Sequence, residues 1–276
     1  METMIGFPGL GIKDFHVNPI AFDGAEIGMP WLKIAWYGVI IAFGMILAYL
    51  YALRNMRIEG IKDDHFLDII IFTVPMGIIS ARIFYVLFSL NDYHSFYEMI
   101  AIWNGGISIL GAVIGGALTI VAVTKFKRIS TFKALDAIAP AVMIGQILGR
   151  WGNFMNAEVY GNETTLPWRM RITSAQGTIE VHPLFLYESL WNLAGLIIIH
   201  LIYKKKTFDG QIFLCYVFWY GLIRSLLELM RNDEFILKTS GGLPASFIVS
   251  VAACVTALIV LITKTILTKN KKEKKI

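Results

Sequence analysis

The stretch Gly105–Lys125, GGISILGAVIGGALTIVAVTK, holds no ionisable side chain before its final lysine. At 1.5 Å of rise per residue, a helix of this length crosses about 30 Å of hydrocarbon. In that medium a helix also satisfies its own backbone hydrogen bonds, as an open strand or loop does not. Outward from it in both directions, similar apolar stretches recur at about 33–54, 66–90, 134–152, 184–203, 210–231 and 244–264. With 56% hydrophobic and only 16% charged residues in 276, the chain is too apolar for a typical soluble domain. The expectation is an all-α integral membrane protein, a seven-transmembrane-helix bundle forming one membrane-embedded domain.

The basic clusters orient this path. They follow the first span (Arg54, Arg57, Lys62), the third (Lys125, Lys127, Arg128, Lys133) and the fifth (Lys204 to Lys206), and they fill the tail (Lys269 to Lys275). These positions share one side of a seven-span chain, so the positive-inside rule places the N-terminus outside and the C-terminus in the cytoplasm. The net charge of +5 is thereby explained by topology, and nucleic acid is not an expected partner. The first thirty residues lack the basic and apolar blocks of a cleavable signal, so the first span is expected to direct its own insertion. Cys215 and Cys254 lie in apolar segments without ligand spacing, which points away from disulfides and metals.

Two connections stand out. Residues 153–183 form the longest and include an alternating stretch, Ile172 to Val181, with the pattern of a small hairpin, so a small extracytoplasmic head is expected there. Asn91 to Trp103 is amphipathic and carries Tyr93, Phe96, Tyr97 and Trp103, as an interfacial loop or a substrate-gating arm would. Gly111-x-x-x-Gly115 and Gly145-x-x-x-Gly149 each put small residues on one helix face, which lets helices approach closely. No inverted repeat of the kind found in many transporters is visible.

The informative residues are ionisable groups within spans, each costing about 2.5–3.5 kcal/mol at a helix centre. Tyr220, Arg224, Glu228 and Arg231 of the sixth span fall on one narrow stripe at 100° per residue. Arg224 and Glu228 alone make an i,i+4 ion pair that could simply hold helices together. Two arginines for one carboxylate, however, leave a positive charge suited to an anionic head group, for which a phosphate is the natural candidate. The fourth span ends in GRWGNFMNAEVYG, Gly149–Gly161, where Gln146, Arg150 and Asn153 share a face and bring in a further guanidinium. Arg82 in the second span reads either as another anion contact or as a structural residue bonded to carbonyls. Glu188, one turn before Asn192, reads as the counter-ion of a neighbouring arginine, and His182 as an interfacial histidine or a catalyst.

At these positions the chain resembles bacterial prolipoprotein diacylglyceryl transferases, from the first span to the seventh. The most specific match is Gly149-Arg150-x-Gly-Asn153-Phe-x-Asn156-x-Glu158-x-x-Gly161. It is joined by Trp36-Tyr37-Gly38, Ala81-Arg82-Ile83, Trp103-Asn104-Gly105-Gly106, Asp136-x-Ile-Ala-Pro140, His182-Pro183 with Tyr187-Glu188, and Tyr220-Gly-x-x-Arg224-x-x-x-Glu228-x-x-Arg231, in the family's order. The resemblance implies transfer of diacylglyceryl from phosphatidylglycerol to the lipobox cysteine of a prolipoprotein signal peptide, in the inner membrane, with a thioether formed and glycerol 1-phosphate released. It implies no metal and no soluble cofactor. Tyr37, Arg150, Asn153, Glu158, Gly161, Arg224, Glu228 and Arg231 match residues that the family uses in catalysis or phospholipid binding, and Tyr220 and Arg82 lie within its matching motifs.

One position departs from the pattern. Family members often carry a histidine where this chain has Leu110. The proton acceptor is then another group, Glu228 or Tyr37 among them, or the thiol is activated by electrostatics and desolvation, or activity has been lost. The rival readings are therefore a lipid-binding member without catalysis and a transporter of anionic lipids.

Overall fold

The structure is a computed structural model that describes residues 3–29, 31–90, 93–232 and 244–273. Asn91 of the amphipathic connection and the last lysines of the tail lie outside the described residues. In chain order the elements are β1 (Met4–Phe7), β2 (Ile12–His16), β3 (Ile20–Asp23), β4 (Lys33–Ala35), α1 (Trp36–Ile58), α2 (Asp63–Phe88), α3 (Phe96–Ile100), α4 (Ile109–Phe126), α5 (Thr131–Met155), β5 (Met170–Ser174), β6 (Gly177–Val181), α6 (Leu184–Ile202), α7 (Gln211–Met230) and α8 (Ala245–Glu273). Seven of these helices, all but α3, are long and apolar enough to cross a membrane. Their ends differ from the apolar limits of the sequence for physical reasons. Two aspartates, Asp63 and Asp64, occupy the first turn of α2, where carboxylates favour a helix N-terminus, so that helix begins before its apolar stretch. Helix α1 runs on past Arg54 to end at Ile58 with Arg57 in its last turn, where a cation is favourable.

The chain divides into two compact units, one comprising Met1–Ala52 with Ala139–Ile276 and the other Leu53–Ile138. In the second unit α4 lies against α2. A methyl added at Gly111 would come within 2.5 Å of the Phe84 Cβ and 2.6 Å of the Ser80 carbonyl oxygen, and one at Gly115 would collide with the Ser80 side chain. The first small-residue motif therefore brings two backbones together, as its spacing predicts. The second does not. No described atom lies within 4 Å of a Cβ built on Gly145, and at Gly149 the nearest is the Ile41 Cδ1 at an ordinary 3.6 Å.

In the first unit a four-stranded antiparallel sheet, in the order β2-β1-β5-β6, caps one end of the helices. The β5–β6 hairpin matches the alternating stretch in the sequence. The partner strands from the N-terminus, and the separate β3–β4 pair, were not expected, because isolated strands of three to five residues such as MIGF carry too short an alternation to announce themselves. Ile5, Val17, Met170, Ile172 and Val181 are buried with Phe185 at the start of α6, and Phe154 and Met155 at the end of α5 pack against them. The sheet is thus seated by apolar contact on the ends of α5 and α6. Deeper in the same unit α6 and α7 are tied by Trp191 and Trp219. Their rings stack at 4.5 Å and each indole donates to the other's backbone carbonyl, at 3.1 and 2.9 Å.

Candidate active site

Helix α5 ends inside the motif that closes the fourth span. Ala157 and Val159 both take positive φ, 51° and 56°, a conformation that disfavours a β-branched residue most of all. The turn folds Glu158 back over the helix end. Its Oε1 accepts from the side-chain amides of Asn153 at 2.8 Å and Asn156 at 3.3 Å, and its backbone N–H donates to the Asn153 carbonyl. Asn153 in turn accepts from Arg150 Nη1 at 3.2 Å, and Arg150 Nη2 pairs with Glu188 Oε2 of α6 at 2.5 Å. Glu158, Asn153, Arg150 and Glu188 therefore form one continuous polar chain.

A second cluster lies on α7. Arg224 Nη2 meets Glu228 Oε2 at 2.6 Å, Arg231 Nη1 approaches the same oxygen to 3.7 Å, and the Ser246 hydroxyl of α8 donates to the other oxygen of Glu228. Arg231 is not on the helical stripe that the sequence suggested. It caps α7 in an extended conformation, with ψ 145°. What holds it is an isolated bridge to Gly161, flanked by hydrogen bonds from Gly161 N to His182 O and from Asn162 N to Met230 O. A Cβ at Gly161 would sit 2.8 Å from both the His182 Cβ and the Met230 carbonyl oxygen, so this crossing admits only glycine.

The two clusters are neighbours. Tyr220 lies within electrostatic reach of Glu188, Arg150, Arg224 and Glu228, and Arg231 within reach of Arg224, Arg150 and Glu188. Tyr37 of α1 adjoins Arg150, and its ring packs so closely on Gly152 that a Cβ there would be 2.6 Å away. The two carboxylates are almost fully covered, with Glu188 at 3% and Glu228 at 1% side-chain exposure, whereas the three arginines retain 16–18%. Among the described residues, three guanidinium groups thus meet two buried carboxylates, and the guanidinium side chains are less covered than their partners. Planar, two-pronged donors of this kind suit oxyanions.

Nine of the residues singled out in the sequence come together here: Tyr37, Arg150, Asn153, Glu158, Gly161, Tyr220, Arg224, Glu228 and Arg231. Arg82 lies in the other unit with its donors occupied by backbone. Nε donates to Met99 O at 2.9 Å, Nη2 to Glu98 O at 2.7 Å, and Nη1 to Gly105 O and Gly106 O at 2.5 and 2.6 Å, while the group also lies over the Tyr93 ring. Leu110 stands in the first turn of α4, also in that unit. Glu188 proves to be the partner of Arg150, as the position of a counter-ion required. Ser246 gave no signal, being a lone hydroxyl in the first turn of the last span. His182 precedes α6, with Nδ1 3.2 Å from the Tyr187 hydroxyl. Among the described residues no group of three or more His, Cys, Asp or Glu is arranged to hold a metal ion.

Residues 25–263 match the family model described as prolipoprotein diacylglyceryl transferase. The chain belongs to that family. Relatives named phosphatidylglycerol-prolipoprotein diacylglyceryl transferase include one from Limosilactobacillus reuteri (strain DSM 20016), 41% identical over 266 residues, covering 92% of this chain and 93% of the relative. Another, from Lysinibacillus sphaericus (strain C3-41), is 40% identical over 88% of this chain and 90% of its own length. A third, from Listeria welshimeri, is 41% identical over 80% and 82%. The diacylglyceryl transferase family match covers the span of α1 through α7 and most of α8, so it includes both arginine clusters.

Proposed function

We propose that this chain is a multi-pass inner-membrane enzyme that transfers the diacylglyceryl group of phosphatidylglycerol to the cysteine thiol of a prolipoprotein lipobox. The observation that carries the reading is the open-faced set of three arginines over two buried carboxylates, on the motifs of a family whose members bear that name. The chemistry is a displacement at the sn-3 carbon of the glycerol backbone. The thiol sulfur forms a C–S bond, the C–O bond to phosphate breaks, and glycerol 1-phosphate leaves, with the thiol's proton passing to the departing phosphate or to solvent. Arg150, Arg224 and Arg231 stabilise the charge that grows on the phosphate as the bond lengthens. Their surplus positive charge also favours the thiolate, which is the attacking species.

Asn153 and Glu158 orient Arg150, and Gly161 fixes Arg231. Glu228 is tied to two arginines and a serine, which makes it a positioning group for both guanidiniums. Tyr37 and Tyr220 flank the guanidinium groups as walls with hydroxyl donors. Arg82 takes the structural alternative. No nucleic acid takes part in this scheme. The whole chain acts as one membrane-embedded domain, with the sheet as its head.

We infer further that the sheet end of the helices faces outward, because the lysine-rich α6-to-α7 connection, Lys204 to Lys206, lies at the opposite end of α6 from the sheet and is cytoplasmic in the positive-inside scheme. Cysteine introduced at exposed Gln176 should then react with an impermeant thiol reagent on intact cells while one at Lys205 does not, and the reverse pattern would invert the orientation. The function itself is tested by incubating the purified chain with glycerol-backbone-labelled phosphatidylglycerol and a lipobox peptide. Label on the peptide's cysteine is expected. Label that crosses a bilayer but never reaches peptide would mark a transporter instead.

A further inference from the structure

Beneath the arginine layer the first unit contains a second polar layer that the proposed displacement does not use. Asn192 of α6 is fully buried, at 0% exposure, and neither its amide nitrogen nor its oxygen has a hydrogen-bond partner among the described residues. The Gln146 side-chain oxygen on α5 is likewise buried without a partner, while its nitrogen donates to the Tyr216 hydroxyl of α7 at 2.9 Å. Helices α5 and α6 run antiparallel, and two contacts fix their register: Arg150 with Glu188, and Gly195 close against Met143. Each step down one helix is matched by a step along the other, so Gln146 stands opposite Asn192 between those two levels. Because Tyr216 uses its oxygen to accept from Gln146, its own proton remains to be donated.

Orphaned amide groups in so apolar a place are costly, which makes a hydrogen-bonding guest the natural explanation for them. The chemistry along the helices suggests which guest. Guanidinium groups stand at the level of Arg150. One turn below, about 5.4 Å, come Gln146, Asn192 and Tyr216. Below these begins an apolar floor in which Met143, Ile199 and Ile212 are buried. Phosphate, ester carbonyls and acyl chains follow one another in that same order along a phospholipid.

We propose that Asn192 and Tyr216 form a subsite for the ester carbonyls of the diacylglyceryl donor, with Gln146 holding the Tyr216 hydroxyl in place. The inference rests on the reading of phosphatidylglycerol as substrate. An N–H of Asn192 and the O–H of Tyr216 donate to the carbonyl oxygens, so the site recognises the diester backbone and not merely the headgroup. A phosphate held by Arg150 brings the sn-3 carbon into the path of the thiol only if the backbone below it is anchored, and these groups supply that anchor.

The test compares phosphatidylglycerol with its ether-linked analogue, which has the same headgroup and chain lengths but no carbonyls. Transfer to a lipobox peptide is measured for the full chain and for Asn192→Leu and Tyr216→Phe. The parent chain should prefer the diester in kcat/KM by about tenfold. Either variant should lose that preference, slowing on the diester while keeping its rate on the ether. Tyr216→Phe removes a single oxygen and keeps the ring packing, so it serves where Asn192→Leu does not fold. Equal use of the two lipids by the parent chain, or an unchanged ratio in folded variants, overturns the subsite; the latter is what a purely water-filled gap would give. Failure of the parent chain to transfer from the diester at all would refute the proposed function instead.

Discussion

Arg150 and Arg82 are both arginines inside membrane-spanning helices, and they have different kinds of partner. Arg82 spends its guanidinium on the carbonyls of Met99, Glu98, Gly105 and Gly106, drawing the connection between α2 and α4 into a fixed path. Arg150 meets one carboxylate and one amide oxygen and keeps an open face. The cost of placing a guanidinium in a membrane is offset in either way. What separates a clasp from an anion site is therefore the identity of its partners. Backbone carbonyls saturate the fork in several directions, whereas a single carboxylate leaves donors for a visitor.

The comparison breaks most visibly under arginine-to-lysine exchange, which keeps charge and removes the planar fork. Arg150→Lys and Arg224→Lys should lose roughly a hundredfold or more in transfer rate, with little change in the temperature of unfolding in detergent. Arg82→Lys should show the reverse emphasis. Its three N–H donors cannot serve four carbonyls, so a loss of about 1–3 kcal/mol of stability and easier proteolysis near Phe96–Gly106 are expected. Near-normal turnover in both Arg150→Lys and Arg224→Lys would make those arginines counter-ions and nothing more.

The seven helices were legible because long charge-free stretches have few other solutions in a bilayer. The clustering of arginines and carboxylates was legible for the same reason, since a charge that is costly to bury needs partners. Its connectivity was not. The stripe on α7 correctly grouped Tyr220, Arg224 and Glu228, but Arg231 joins them from beyond the helix end, held by a pairing with Gly161 that is distant in sequence. Gly145-x-x-x-Gly149 and Gly111-x-x-x-Gly115 have the same spacing, yet only the latter meets a close backbone, because the pattern specifies a face and not what lies across it. The four carbonyls that Arg82 serves, which favour its structural reading, leave no mark in the sequence.

Gly161 sharpens the comparison at an intermediate scale, because it acts on an arginine of the open site through backbone alone. Gly161→Ala places a methyl 2.8 Å from the Met230 carbonyl and the His182 Cβ, and the strand-like crossing has to open. A destabilisation of about 1–3 kcal/mol is expected, as for other overpacked sites. Transfer should fall further than stability does, since Arg231 moves with the bridge. Gly145→Ala, facing open space, serves as the control and should leave both nearly unchanged. Equal behaviour of the two variants would show that the Gly161–Arg231 bridge does not position the arginine.

The smallest effect is expected at His182, and it bears on whether an imidazole is needed in a chain that carries Leu110. The ring faces the Tyr187 hydroxyl, at 3.2 Å from Nδ1, in a pair that also receives the Trp168 indole N–H at 2.7 Å. That places His182 in the packing between the head and α6, and its backbone, not its ring, makes the bond to Gly161. His182→Gln should therefore retain a substantial fraction of transfer activity, with a rate that rises toward the ionisation of the thiol, without an imidazole step near pH ~6.5. A second readout comes from stability. Burial lowers the pKa of His182 below the ordinary imidazole value, so the unfolded chain binds the proton more readily than the folded one. Stability contributed through this group is then full above the unfolded value and declines as pH falls from about 6.5 through the lowered folded value. Glutamine cannot titrate, so the unfolding temperature of the variant should fall less on acidification than that of the parent, by a small margin because the ring is only partly covered. An inactive but well-folded His182→Gln would mean instead that the missing histidine of the third span has been replaced from the head, and the open arginine site would then need an imidazole to complete it.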